Sequence, residues 1–118
     1  MRRLKADVEP EEATKILTEV HYDRAFHFYT DIGVPIGLAA RSLKEFMLVI
    51  QTVDSRSIEF HILRGDFEKW IIMLGDRSLA RQVGRFRKLG LKADALRARL
   101  LETVTARYEV LKASAQSA

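Results

Sequence analysis

The chain has 118 residues, 47% of them apolar, no cysteine and a formal net charge of +4. That length holds one ordinary domain with a real core and leaves no room for a second; without cysteine there are no disulfides and no thiolate metal sites, so a reducing cytoplasm is the expected location. The opening MRRLKADVEPEE turns acidic where a secretory leader would be apolar, and no run approaches the roughly 20 apolar residues that span a bilayer, so neither export nor membrane contact is expected.

Residues 1 to 9 are expected to be flexible. Pro10 suits a first helical turn, where its missing N–H costs little, and Ala13, Ile16, Leu17 and Val20 recur at helical spacing, predicting a helix from about 10 to 21. AFHFYT, residues 25 to 30, alternates Phe26 and Phe28 before DIGVPIG supplies turn residues, which predicts a short hairpin returning through Leu38 to Ala40. Ser42 to Glu45 reads SLKE, a capping box in which serine accepts an orphan N–H and glutamate reaches back to the cap residue, so a helix should start at Leu43 with Phe46, Met47, Ile50 and Val53 on its inner face.

The Asp and Ser residues of VDSRS can cap another start. In the stretch that follows, Ile58, Phe60 and Ile62 alternate like a strand while Ile58, His61 and Ile62 share a helical face; the capping residues favour a helix, stopped by Gly65. Asp66 then reads as the cap of a helix whose Phe67, Trp70, Ile71 and Leu74 form one face. Gly75 and Asp76 repeat the stop-and-cap pair, starting a helix to about Leu89 with Leu79, Val83 and Phe86 inside, and Gly90 ends it. A last helix from about Ala93 to Lys112 buries Leu96, Leu100, Leu101, Val104, Tyr108 and Leu111, and residues 113 to 118, ASAQSA, should fray. The expected fold is a mainly α single domain, about six helices with a short N-terminal β-hairpin.

The segments FHFYT, ARSLKEF, SIEFH, RGDFEKWI and LGD with SLA, running from about residue 25 to 111, resemble a largely archaeal family of unknown function, DUF5752. That resemblance implies an accessory or regulatory module, because such domains stand alone or are attached to larger proteins, sugar-metabolic enzymes among them; it implies no mechanism. Composition adds a thermophilic expectation: asparagine is absent and thirteen arginines outnumber seven lysines.

No catalytic set emerges. Glu59 lies two positions from His61, about 200° around a helix, and Asp66 stands beyond the Gly65 break, so His61 reads as structural. His21 and His27 lack the spaced partners that metal binding needs, and the glycines lack phosphate-loop spacing, so no metal and no cofactor is expected. Arg64 to Asp66 spells RGD, a coincidence in a chain without a secretion signal.

Charge is the stronger functional signal. Residues 1 to 76 hold ten basic and thirteen acidic side chains, net −3, while residues 77 to 118 hold ten and three, net +7. Arg77, Arg81, Arg85 and Lys88, spaced four, four and three, line up opposite Leu79, Val83 and Phe86; Arg87, Lys92, Arg97 and Arg99 extend the region. Such a stripe suits phosphate contacts, and equally an ordinary solvated face. A helix-turn-helix fits Ala80 and Gly84 but fails at Gly90, where a packed apolar residue belongs, so structured RNA or the ribosome is favoured over sequence-specific DNA. The alternative is docking on a protein partner, or on a second copy as a homodimer, through Phe26, Phe28, Tyr29 and Trp70. Neither reading involves catalysis.

Overall fold

The computed structural model describes residues 8–117, so the expected flexibility of residues 1 to 7 lies outside them. Among the described residues the chain forms six α-helices and one two-stranded antiparallel hairpin.

Helix α1 spans Pro10–Leu17, with proline at its first turn as its backbone requires. It ends four residues earlier than the spacing of Val20 implies. Thr18 is extended at the C-cap (φ −68°, ψ 138°), and the chain turns so that the Val20 N–H donates to the Arg41 carbonyl at 2.7 Å. Val20 packs on the core from a loop, not from a helix face. Val8, expected to be flexible, is buried, and its carbonyl accepts the Ser114 hydroxyl at 2.9 Å.

A 3-10 turn at Tyr22–Arg24 leads into β1, Phe26–Asp31, which pairs with β2, Val34–Ala40. Phe26 stands opposite Ala40 and Tyr29 opposite Pro35, and Ile32 and Gly33 alone make the turn. The remainder of DIGVPIG is therefore strand. Ser42 caps α2, Leu43–Val49, accepting the Glu45 N–H at 3.1 Å. The Glu45 carboxylate does not return to Ser42; it accepts the Arg41 N–H at 2.7 Å, one residue further back.

Asp54 caps α3, Ser55–Arg64, so the helical alternative prevails over the strand in this stretch. Gly65 ends it in the left-handed region (φ 75°), which a Cβ would strain, and the chain restarts at once as α4, Asp66–Leu74. Helix α5, Arg77–Gly84, gives way to a 3-10 turn at Arg85–Lys88, where a continuous helix is expected from spacing alone. Helix α6 runs Ala93–Gln116, through the segment expected to fray, because Ser114 is buried and anchors that last turn on Val8.

The core is centred on aromatic side chains. Phe26 meets Phe28 at a ring-centroid distance of 4.8 Å, Phe67 at 5.0 Å and Trp70 at 5.8 Å, while Phe46 meets Phe67 at 5.0 Å. The indole N–H of Trp70 donates to the Arg24 carbonyl at 2.9 Å, which satisfies its one polar atom inside the protein. Phe26, Phe28 and Trp70 are therefore core and not a docking surface: the hairpin lays its inner face on α2, α3 and α4 and uses them to do so. Of the four side chains expected at a protein interface, only Tyr29 reaches the surface.

Candidate functional site

Arg77, Arg81, Arg85 and Lys88 are all exposed, on the face of α5 and its 3-10 extension opposite buried Leu79, Val83 and Phe86. A rise of 1.5 Å per α-helical residue sets successive arginines about 6 Å apart. The 3-10 turn has three residues per turn, so Lys88 lies directly beyond Arg85, and the row extends over about 18 Å. None of the four side chains is hydrogen-bonded or ion-paired to another described residue.

The surrounding cations divide into two groups. Arg87 is held by the Glu68 carboxylate, which packs over Gly84 where a Cβ would stand 2.6 Å from its oxygen. Arg97 donates to the Ile50 carbonyl at 2.8 Å, closing the C-terminal end of α2, and stands 3.7 Å from Asp94. These two are structural rather than available. Lys92 and Arg99 are exposed near the start of α6.

The stretch around His61 is more organised than spacing suggests. The left-handed turn at Gly65 folds α4 back on α3 and brings the Asp66 carboxylate within 2.8 Å of His61 Nδ1. Asp66 is thus not the cap of α4; Gly65 occupies that place, and the carboxylate is spent on His61 and on Arg64 Nε at 3.1 Å. His61 Nε2 accepts the Tyr29 N–H at 2.9 Å, so Nδ1 carries the ring proton and donates it to Asp66. Burial pushes the imidazole below the usual histidine range, against the opposing pull of Asp66. Both ring nitrogens are committed, which makes His61 a neutral strut between hairpin and helix. Glu59 points elsewhere, as its spacing requires, and accepts the Ala93 N–H at 2.7 Å at the start of α6.

Beside this strut lies a cleft of about 400 Å³ between the hairpin and α3, lined by His27, Tyr29, Phe60, His61, Arg64 and Asp66 among others. The Arg64 guanidinium lies over the Phe60 ring at 5.0 Å, held in place by Asp66. Among the described residues no group of three or more His, Cys, Asp or Glu side chains stands together as metal ligands.

Spacing alone does not reveal the ion pair between Asp76 and Arg107, at 2.8 and 3.0 Å, both residues buried. Asp76 does cap α5 as expected, through the Leu79 N–H at 3.1 Å. The available signal was Arg107 itself, which continues the inner row Leu96, Leu100, Val104, Leu111 at a position where an apolar side chain belongs.

The fold and its surfaces define a small helical domain with a basic helix face on one side and an aromatic-walled cleft on another. The chain belongs to the family of unknown function DUF5752, whose model matches residues 4–105. No curated protein and no solved structure matches it.

Proposed function

We propose that this domain is a non-enzymatic binding module that grips the phosphate backbone of structured RNA, free or in the ribosome, through Arg77, Arg81, Arg85 and Lys88, with Lys92 and Arg99 alongside. The observation that carries the reading is the row of four exposed cations without described partners, in a segment from 77 to 93 that contains six basic residues and no acid. Cations about 6 Å apart can engage successive phosphates, and such contacts position a protein without reading sequence, which suits structured RNA. The setting that fits is a reducing cytoplasm in a heat-adapted source, which the cysteine- and asparagine-free composition supports, and an archaeal one, which the resemblance implies. Among the described residues no helix is long and apolar enough to cross a membrane.

The test is binding of structured RNA across a salt series by wild type and by Arg81→Glu/Arg85→Glu. Four phosphate contacts give a slope of log K on log salt of roughly −2.8 to −3.6, and each lost contact flattens it by roughly 0.7 to 0.9. The double variant should fold normally, since both side chains are exposed, and lose most of its affinity. Equal, weak and salt-insensitive binding by both proteins refutes the reading and transfers it to docking on a protein partner, for which Ile32 and Leu63 are the most exposed of several large apolar side chains.

A further inference from the structure

The cleft between the hairpin and α3 gathers polar groups for which the fold has no use. Arg64 is tied at Nε to Asp66 and lies over Phe60, which fixes its plane, yet its two terminal nitrogens take no described partner. Oδ2 of Asp66 receives both His61 and Arg64, while its Oδ1 accepts from no described residue. His27 and Tyr29 line the same cleft, and the His27 ring nitrogens and the Tyr29 hydroxyl are likewise without described hydrogen-bond partners. A fixed donor fork beside an open acceptor, between aromatic walls, is a recognition arrangement.

Charge decides what kind of ligand it takes. Arg64 and Asp66 cancel, and His61 is held neutral by its two hydrogen bonds, so the cleft has no net charge to hold a free anion, and an anion would face the Asp66 carboxylate. An uncharged ligand with an acceptor beside a donor satisfies both open groups at once. We infer that this cleft binds a flat, uncharged heterocycle through a ring carbonyl set beside a ring N–H, the lactam edge that uracil and guanine present, with the carbonyl on Arg64 and the N–H on Asp66. The lining includes the aromatic side chains of Phe26, His27, Tyr29 and Phe60, and about 400 Å³ lies within the range of roughly 300 to 1,000 Å³ typical of small-molecule sites. The base can belong to a free nucleoside or to an unpaired position in a strand; the chemistry is shared. The inference goes beyond the basic face, since it uses none of the residues of α5.

The experiment titrates the full chain with uridine, N3-methyluridine, inorganic phosphate and a single-stranded oligouridylate, followed by chemical shifts of His27, Tyr29 and Phe60 and by calorimetry. Uridine should bind with a Kd on the order of 1 mM or tighter, and N3-methyluridine, which lacks the N–H, at least about tenfold more weakly. Arg64→Met keeps the stem over Phe60 and the fold, so its melting temperature should be unchanged while uridine binding falls by a similar factor. Oligouridylate binding much tighter than uridine, and weakened by Arg64→Met, assigns the base to a strand; equal affinity per base assigns it to the free nucleoside. Arg81→Glu/Arg85→Glu should leave uridine binding intact, which separates failure of this site from failure of the basic face. Absence of shifts at the three reporters, indifference to N3-methylation or to Arg64→Met, or binding of phosphate in place of uridine overturns the inference.

Discussion

Arg107→Met should destabilise the domain by roughly 3 to 5 kcal/mol, because it strands a buried carboxylate. Asp76 is 2% exposed and Arg107 9%, and the Arg107 guanidinium donates two hydrogen bonds to the Asp76 carboxylate, at 2.8 and 3.0 Å. With the guanidinium gone, the Asp76 charge keeps only the Leu79 N–H among its described contacts. Asp76→Asn leaves an amide oxygen for that N–H and so preserves the cap of α5, but it takes the Asp76 charge away from the buried arginine, and a loss is expected here too. In the double variant neither charge of the Asp76–Arg107 pair remains, methionine fills much of the space of the arginine stem, and the amide still caps the helix. Its loss should be only about 1 to 2 kcal/mol, near the net worth of one or two hydrogen bonds. Urea denaturation at neutral pH, with an unchanged dependence on denaturant, gives all three values and their coupling. A loss under about 1 kcal/mol for Arg107→Met, or single losses that simply add in the double variant, would refute the claim that burial makes this pair interdependent.

Trp70→Ala should lose roughly 3 to 5 kcal/mol of unfolding free energy through the cavity it leaves among Phe26, Phe46 and Phe67; full stability with lost partner binding would instead make the indole a surface anchor. Because burial lowers the His61 pKa, the unfolded chain takes up that proton first, so the contribution of His61 is complete above about pH 6.5 and declines as pH falls from there toward the lowered folded value. The denaturation midpoint should drop over that window in wild type and less in His61→Gln, and identical pH profiles would mean that the ring charges freely inside the fold. Glu68→Gln should release Arg87 to the basic face and steepen the salt dependence of RNA binding by up to roughly 0.7 to 0.9, with an unchanged slope showing that Arg87 stays where it is.

The helices are legible in the sequence wherever one short-range rule settles the matter. Ser42, Asp54 and Asp76 cap the helices that follow them, and Gly65 turns left-handed where the apolar period breaks. The ends fail where a distant partner decides. Ser114 prolongs α6 because of Val8, more than a hundred positions earlier, and no local spacing encodes that contact. The basic row is readable because exposure needs only the opposite face to be apolar. The cleft is not: treating Gly65 as a break separates Asp66 from His61, whereas a left-handed residue between two helices reverses the chain and joins them. The aromatic residues mislead in the other direction, since composition cannot say whether Phe26, Phe28 and Trp70 face a partner or their own helices.

The hydrogen bond from the Tyr29 N–H to His61 has a consequence for what the hairpin can recruit. A two-stranded sheet has an open edge on each side, and an unpaired strand N–H is an invitation to a foreign strand. On β1 the imidazole takes the place of that strand, accepting at 2.9 Å the proton that a neighbouring carbonyl would otherwise accept, with α3 packed behind it. On β2, Pro35 has no N–H to offer. His61 thus serves as a rung of the ladder at Tyr29, and at that position β1 has no free N–H to offer a foreign strand.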